Sequence, residues 1–488
     1  MIQTSQDMTP KRRRDAAQAR AVRVAGAVLV LTLAGCGFKQ YAAKPLDADA
    51  SVAAIEARSL GDPRLVPYFA THGVPAEPWP PTAWDLRALT LAALALNPEL
   101  DIARAQLVAA RAGETTAAMR PNLGFQSRVE HHSDTAGKDS PWSVAVLLDI
   151  PIVDHGKRDA RIAQAQALSE SARFDVAASA WRVVARVRDR YFEYLVAMRD
   201  VAIAESESAL RAEEVAMLDR RVELGAASAT DLGTARTLQS ETAVRLSRAG
   251  AQAVQAKAAL ADAIGVPSTS LDAVEITLEG PAVLGDLPPP RDVQATALLN
   301  RMDLQRAIAQ YAAAEAGLKL EVARQYPDIT LRTGFGWDQG DRIWALGVLG
   351  LLALVNRNEG PIAEAEARRE LEAARFRALQ TRVIGEVQAA RARYAAALKA
   401  ASDAAEVEHQ ANARTARVER RFDAGSGDRL ERTHAHLDAL AAVRLRETAL
   451  AQSATARAAL EDAMQVPLGA ALDLQRVVEE TPAAELVR

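Results

Sequence analysis

A single cysteine, Cys36, occurs in the 488 residues, so no disulfide bond can form within the chain. Aromatic residues make up only 4% of the chain, which argues against several compact cores. The apolar residues are mostly alanine, which suits closely packed helices. The formal net charge of −4 gives no electrostatic reason to bind nucleic acid. The sequence also lacks a nucleophile and base in a pattern that would indicate an enzyme, and it predicts no cofactor and no tight metal site.

Glycine and proline are both absent from residues 157–224, and these two residues cost most inside a helix. The apolar residues there step by three or four, as on one helix face: Trp181, Val184, Val187, Tyr191, Leu195 and Met198. At about 1.5 Å per residue, this predicts a helix of roughly 100 Å, too long for an ordinary globular core. Residues 225–228 predict a turn, and a second proline-free run to residue 266 predicts an antiparallel partner helix.

The same unit recurs about 200 residues later, which predicts an internal duplication. The sequence RVELG at 221–225 matches RFDAG at 421–425, and ALADAIGVP at 259–267 matches ALEDAMQVP at 459–467. We therefore expect two structural repeats joined by a linker. The expected boundaries are 82–267 and 292–467 for the repeats, 268–291 for the linker, 121–153 and 327–355 for β-hairpins, and 156–265 and 360–466 for helical hairpins.

The first residues have the pattern of an export signal. Six basic residues precede an apolar run at 25–34, which is too short for a membrane span of ~20 residues. The run leads into Leu-Ala-Gly-Cys36, which resembles the lipobox of bacterial lipoproteins. That resemblance implies a signal peptide over 1–35, a lipid on Cys36, and location in the outer membrane because Gly37 follows. The alternative for Cys36 is a buried free thiol.

Cleavage before Cys36 would remove a net charge of +4 and leave a mature chain of net charge −8, since residues 1–35 hold six basic and two acidic side chains. Seven prolines between 36 and 81 predict an irregular anchor segment, with Thr82 as the N-cap of the first helix. Residues 468–488 are expected to form a short tail.

Four runs of about ten residues have the alternation of transmembrane strands. Phe125 and Val129 share one face of the first run, and Val144 lies on the equivalent face of the second, next to Ser143 on the opposite face. The third run, with Phe335, alternates in the same way, and a nearly continuous apolar run follows at 343–355. The pattern predicts apolar side chains toward lipid and polar side chains toward a lumen. Two half-buried hairpins of a soluble sheet are the alternative.

Four strands cannot close a membrane barrel, since the smallest transmembrane barrels have about eight strands. Open strand edges in lipid would leave backbone groups unpaired. A single pair of long hairpins likewise has no interior in which to bury its apolar stripe. A ring of identical subunits would satisfy both needs.

This order of parts resembles the TolC-type outer-membrane factor family over nearly all of the mature chain. The break at Asn97-Pro98, the entry Arg120-Pro121 into the first strand, and the strand-to-helix junctions at 150–154 and 356–360 carry the resemblance. Residues 356–368 and 424–431 are most similar to the cation-efflux (Czc-type) branch. The resemblance implies a mainly α fold with a transmembrane β portion, assembled as a homotrimer with a 12-stranded barrel and an α-helical tunnel.

The family resemblance also points to the turns of the helical hairpins, which form the periplasmic tip of such channels. Asp231, Asp428 and Glu431 follow the turns within a few residues, and Arg429 and Arg432 lie beside them. Threefold repetition would gather the carboxylates into a gate that attracts cations and pairs with those arginines in neighbouring subunits. The alternative is that Asp231 and Asp428 serve as helix N-caps.

The predicted function is therefore the outer-membrane channel of a tripartite efflux system that exports metal cations or small toxic compounds. The implied partners are a periplasmic adaptor, an inner-membrane pump of the resistance-nodulation-division type, and outer-membrane lipid. The alternative is a periplasmic adaptor or a structural coiled-coil lipoprotein. Adaptors carry one helical hairpin among β-rich domains, whereas this sequence duplicates its hairpin and precedes each copy with membrane-length strands.

Overall fold

The computed structural model describes residues 39–74, 78–134, 137–152, 155–280, 287, 289–350 and 356–468. The signal peptide, the lipid site Cys36, the end of the last strand at 351–355 and the tail beyond residue 468 lie outside the described residues. The chain divides into two compact units, one ending at Ile55 and one beginning at Glu56. The described part of the first unit is exposed throughout and enters helix α1 (Ala48–Glu56), whose first turn is capped by Asp47.

The second unit holds the remaining helices and strands. They are α2 (Leu65–Thr71), β1 (Ala83–Trp84), α3 (Leu86–Leu96), α4 (Pro98–Ala118), β2 (Gly124–His131), β3 (Trp142–Ile152), α5 (Lys157–Glu223), α6 (Ala229–Ile264), β4 (Glu275–Ile276), α7 (Pro290–Asn300), α8 (Met302–Ala323), β5 (Ile329–Asp338), β6 (Asp341–Gly350), α9 (Glu359–Asp423) and α10 (Arg429–Met464). Both repeats therefore follow the order helix, helix, strand, strand, long helix and returning helix, and the predicted duplication is confirmed.

The predicted long helices are present in both repeats. Helix α5 has 67 residues, and α9 has 65. Each ends at a glycine with a left-handed backbone, Gly225 at φ 70° and Gly425 at φ 73°, a conformation that glycine adopts without strain. The chain then returns through α6 or α10. Local sequence is enough to specify these hairpins, because the turn residues agree with the long proline-free runs on either side of them, of which α5 also lacks glycine.

Strands β2, β3, β5 and β6 form one antiparallel sheet in that order, so β2 and β6 are its edges. Val146 pairs with Ser127 on one side and with Phe335 on the other, which places all three on one face. Polar residues occupy the opposite face, where Asp149 pairs with Arg332. The predicted alternation is thus confirmed. We call the side with Phe335 the outer face and the side with Arg332 the inner face.

The structure corrects three predictions around the first repeat. Thr82 does not cap the first helix, because Ala83 and Trp84 form strand β1, and Asp85 caps α3 by accepting a hydrogen bond from Ala88 N at 2.7 Å. The expected linker is partly ordered as well, since Ala83 and Trp84 pair in parallel with Glu275 and Ile276 of β4. The bridge joins positions almost 200 residues apart, so local sequence gives no sign of it. The segment expected to be irregular also contains helices α1 and α2.

A hydrophobic core lies where α3, α4, α5 and α6 meet. Trp84 and Phe69 are fully buried there, and their rings meet edge to face at 5.8 Å. Tyr191 of α5 enters the same core, and its hydroxyl donates to Thr277 O at 2.7 Å. A second core cluster with Tyr394 buried at its centre lies at the root of the second hairpin, where α7, α9 and α10 meet.

No helix within the described ranges is long and apolar enough to cross a membrane.

Candidate functional site

The turns of the two helical hairpins hold the residues that the sequence singled out. In the first turn, Ser228 caps α6 by accepting a hydrogen bond from Thr230 N at 3.1 Å. In the second turn, Asp428 caps α10 by accepting from Leu430 N at 3.2 Å. A side chain at Gly427 would collide with the backbone of Phe422, since an added Cβ would lie 2.7 Å from its nitrogen. The second turn is therefore closely packed against the end of α9.

Asp428 has a second role besides capping. Arg221, at the end of α5, donates a hydrogen bond from Nη2 to Asp428 Oδ1. This bond and the cap bond from Leu430 N hold the pKa of the Asp428 carboxyl below its usual range. Asp428 therefore connects the tip of the first hairpin to the start of α10 and stays charged at neutral pH.

Glu431 and Arg432 bind partners on α9. Arg421 Nη2 donates to Glu431 Oε1, and the guanidinium of Arg432 lies over the ring of Phe422, 4.3 Å from its centroid. The sequence named Arg429 and Arg432 as partners of the carboxylates, but within one chain that role belongs to Arg221 and Arg421. A signal for this was present, because an Arg-Arg pair ends both long helices at an offset of 200 residues.

Asp231 and Arg429 point to solvent. Asp231 lies in the first turn of α6, where its charge favours the helix dipole, but Ser228 holds the cap. In the described part of the chain, neither Asp231 nor Arg429 forms a side-chain ion pair. The structure thus brings Asp428, Glu431 and Arg432 into contact with the ends of the long helices and leaves these two side chains exposed.

Beside the second turn lies a groove of about 570 Å³ lined mainly by arginines. Its residues are Arg414, Arg417, Val418, Arg420, Arg421, Ala424, Ser426 and Glu431. Arg414 pairs with Asp438 at 3.2 Å, whereas Arg417 and Arg420 have no carboxylate partner in the ranges that the structure describes. The groove is therefore positively charged.

A row of polar contacts joins α5 of the first repeat to α10 of the second, from the turns back toward the core. Its pairs are Arg221–Asp428, Glu214–His434 at 2.8 Å, Glu207–Arg444 at 2.5 Å, Arg199–Glu447 at 2.5 Å and Arg188–Glu461 at 3.0 Å. We call this set the inter-hairpin row. Its α5 residues Glu207, Glu214 and Arg221 follow one another at intervals of seven, which keeps them on one helix face. The row fixes the second hairpin against the first.

Three carboxylates of the inter-hairpin row, those of Glu207, Glu214 and Glu461, are largely buried, and two of them have a lowered pKa. Burial acts to raise the pKa of Glu214, but hydrogen bonds from Arg211 and His434 outweigh it and lower that pKa overall. Burial likewise acts to raise the pKa of Glu207, and Arg444 and Arg245 outweigh it and lower the value. Both glutamates are therefore ionised at neutral pH and attract cationic partners.

Within the described residues, no group of three or more His, Cys, Asp or Glu side chains is placed to hold a metal ion. His434 contacts Glu214, and His436 contacts Glu419 at 3.0 Å, so the two histidines have separate partners. The chemistry available at the turns is therefore electrostatic.

The fold is that of known outer-membrane channels. A membrane protein from Pseudomonas aeruginosa superposes with a TM-score of 0.64 at 20% identity, covering 80% of this chain and 92% of that one. The outer membrane protein VceC from Vibrio cholerae gives 0.64 at 19% identity, covering 79% and 97%. CusC gives 0.61 at 16% identity, covering 78% and 91%.

The family follows from the sequence comparison. The family described as outer membrane efflux protein matches residues 89–266 and 294–464, most of the chain. The chain belongs to this family, and the predicted resemblance is confirmed. The cobalt-zinc-cadmium resistance protein CzcC from Cupriavidus metallidurans is 30% identical over 280 residues, which cover 57% of this chain. The match spans 65% of CzcC, slightly under two thirds of its length, and it supports the Czc-type branch.

Proposed function

We propose that this protein is the trimeric outer-membrane channel of a tripartite efflux system. The observation that carries the proposal is the four-stranded sheet, whose edges β2 and β6 have no partner strand among the described residues and whose outer face exposes apolar residues such as Phe125 and Trp344. Three copies joined edge to edge would give 12 strands and leave no edge in lipid. The long hairpins of three copies would then surround a periplasmic tunnel.

The trimer can be tested by cross-linking across the sheet edges. A cysteine on β2 at Gln126 and one on β6 at Gly347 should form a disulfide between neighbouring subunits, since the sulfur of a lipid-modified Cys36 cannot take part in one. Each single variant serves as the control, since it lacks one half of the bridge. Covalent trimers in the double variant would support the proposal, and monomers alone, from protein that is folded in detergent, would contradict it.

The proposed cargo is metal cations, with small toxic compounds as the alternative. The resistance to cobalt, zinc and cadmium named for CzcC supports this class of cargo. A periplasmic adaptor and an inner-membrane pump of the resistance-nodulation-division type would supply substrate and energy at the tips of the hairpins. A channel for cations needs only weak contacts, because tight binding would slow release.

The cargo is tested in cells that carry the adaptor and pump but lack this chain. Restoring the chain should raise tolerance to Co²⁺, Zn²⁺ or Cd²⁺ and lower their cellular content. The variant Val146→Arg, which places a charge on the outer face, is the assembly-defective control. Restored tolerance to organic toxicants alone would favour the alternative cargo.

The turns are proposed as the gate of the channel. Asp428 connects the two hairpins through Arg221, and Glu431 connects α10 to the end of α9 through Arg421. In a trimer, the exposed Arg417 and Arg420 would be free to pair with exposed carboxylates of a neighbouring subunit, Asp231 among them. Arg429 and Arg432 lie at the same tip. The lipid on Cys36 would attach the chain to the outer membrane.

A further inference from the structure

One row of residues crosses the sheet with charge only at its centre. Asp149 of β3 pairs with Arg332 of β5, Gly124 of β2 lies beside Asp149, and Gly347 of β6 lies beside Arg332. Arg332 Nε donates to Asp149 Oδ1 at 2.6 Å, and Nη2 donates to Oδ2 at 2.8 Å. This is the fork geometry of a strong guanidinium–carboxylate pair. The two glycines add no side chain on either side of it.

The glycine at one end makes room for the pair. A Cβ added at Gly124 would lie 3.1 Å from the Asp149 Cβ, which is tighter than ordinary contact. A Cβ added at Gly347 would meet nothing within 4 Å, so the Arg332 side of the row is open. The pair is therefore the main polar feature of this row, and 35% of the Arg332 side chain and 26% of the Asp149 side chain are accessible to solvent.

Most other charged side chains of the inner face are also balanced nearby, while Asp341, at the turn between β5 and β6, forms no ion pair within the described residues. Arg128 lies 3.7 Å from Glu130, and Asp338 lies 3.7 Å from Lys138 while accepting a hydrogen bond from Ser143. These contacts lie closer to the loop end of the sheet. The Asp149–Arg332 row lies near the opposite end, where the strands join the long helices.

We propose that Asp149 and Arg332 keep the entrance of the barrel lumen electrically neutral, so that cations pass from the helical tunnel without being repelled or retained. The inference rests on the proposed function, because the inner face becomes a lumen only in the assembled trimer. Threefold repetition turns each uncompensated charge into a ring of three like charges. Such a ring changes the local ion concentration. The balanced pair avoids this ring.

The test removes one charge at a time and measures ion selectivity in planar bilayers from the reversal potential across a KCl gradient. Asp149→Asn leaves Arg332 uncompensated, so the reversal potential should shift toward anion preference. Arg332→Gln leaves Asp149 uncompensated, so the shift should be toward cation preference. The double variant Asp149→Asn/Arg332→Gln is neutral and should return to the wild-type value. Both single shifts should be clear at 0.1 M salt, where the Debye length is about 10 Å, and fade at 1 M, where it is about 3 Å.

Arg342→Gln is the matched control, because Arg342 pairs with Trp337 on the outer face and its removal should not change selectivity. Unchanged reversal potentials in both single variants, from trimers that conduct, would overturn the inference. Loss of the trimer in the neutral double variant would also overturn it, since the pair would then be structural. A wild-type chain that forms no conducting trimer would instead contradict the proposed function.

Discussion

Arg188 Nη1 donates to Glu461 Oε2 at 3.0 Å, and both side chains are about nine-tenths buried. The same guanidinium donates from Nη2 to Asp462 Oδ2 at 2.9 Å, and Trp181 Nε1 donates to the other oxygen of Asp462 at 3.1 Å. This contact joins the first long helix to the last helix of the second repeat. It forms the root of the inter-hairpin row.

Breaking this buried contact should destabilise the helical body. Arg188→Gln leaves Glu461 charged and partly unpaired in the core, at a cost of roughly 3 kcal/mol in the free energy of unfolding. Arg186→Gln, two residues away, removes a pair with Glu99 that is about 40% exposed and should cost only about 0–1 kcal/mol. Denaturant unfolding followed by circular dichroism compares the two. Equal losses would show that burial does not decide the strength of the contact.

A charge on the outer face of the sheet should oppose membrane insertion. Val146→Arg should cost roughly 2–4 kcal/mol if it lies near the bilayer midplane. Gln126→Arg places the same side chain on the inner face and should be tolerated. Ser143, which the sequence also places on the inner face, is less suitable because its hydroxyl binds Asp338 and His132. Trimer yield after extraction measures the difference, and similar yields would argue against a lipid-facing outer face.

Neutralising the carboxylates at the turns should loosen the proposed gate. The combined change Asp231→Asn, Asp428→Asn and Glu431→Gln removes the pairs with Arg221 and Arg421 while leaving an amide that can still cap α10. We expect higher single-channel conductance and weaker cation selectivity.

The control for capping is Ser228→Ala, which removes a helix cap without changing charge and should leave selectivity unchanged. If the triple variant assembles as a trimer and conducts as the wild type does, Asp428 serves only as a cap and an intrachain contact.

Acid should weaken the inter-hairpin row. The pKa values of Glu207 and Glu214 are lowered in the folded chain from the ordinary value of 4.5, so their contribution is complete above about pH 4.5. It is lost as the pH falls through the lowered values, because protonation removes the charge that Arg444, Arg245 and Arg211 bind. In Glu207→Gln, the unfolding temperature should therefore fall less between neutral and acid pH than it does in the wild type. If the variant loses as much stability at acid pH as the wild type does, the row does not contribute to the pH dependence.

Acylation of Cys36 remains a prediction from the sequence. Mass spectrometry of the mature N-terminus should show a lipid-modified cysteine as its first residue, and Cys36→Ala should abolish the modification. A mature chain that begins elsewhere, or that carries an unmodified thiol, would contradict it.

The sequence predicted what local patterns determine. Uninterrupted helix-forming runs and the glycines at 225 and 425 define the hairpins, and side-chain alternation defines the faces of the sheet. The pairing of Trp84 with Ile276 and the contact of Arg221 with Asp428 join positions about 200 residues apart, so each depends on the whole fold. Asp85 was missed as a cap for the same reason, because the β1–β4 bridge decides where the first helix begins.

The two repeats finish their returning helices with different chemistry. In the first, Asn97 Nδ2 donates to Ala263 O at 2.9 Å, and Gly265 packs so closely against Asn97 that an added Cβ would lie 3.2 Å from its Cα. In the second, Arg301 Nη1 donates to Ala463 O at 3.1 Å, and Gln465 accepts a hydrogen bond from Met302 N at 2.6 Å.

The residues that join the returning helix to the start of each repeat are therefore no longer interchangeable between the two repeats. Both partners of each joint lie in the same half, so a residue moved from one half to the other meets the wrong surroundings. Gly265→Gln would bring a side chain into the space beside Asn97, and Arg301→Asn would remove the guanidinium that also binds Asp303 and Glu386. Divergence after duplication has thus made each joint dependent on residues of its own half.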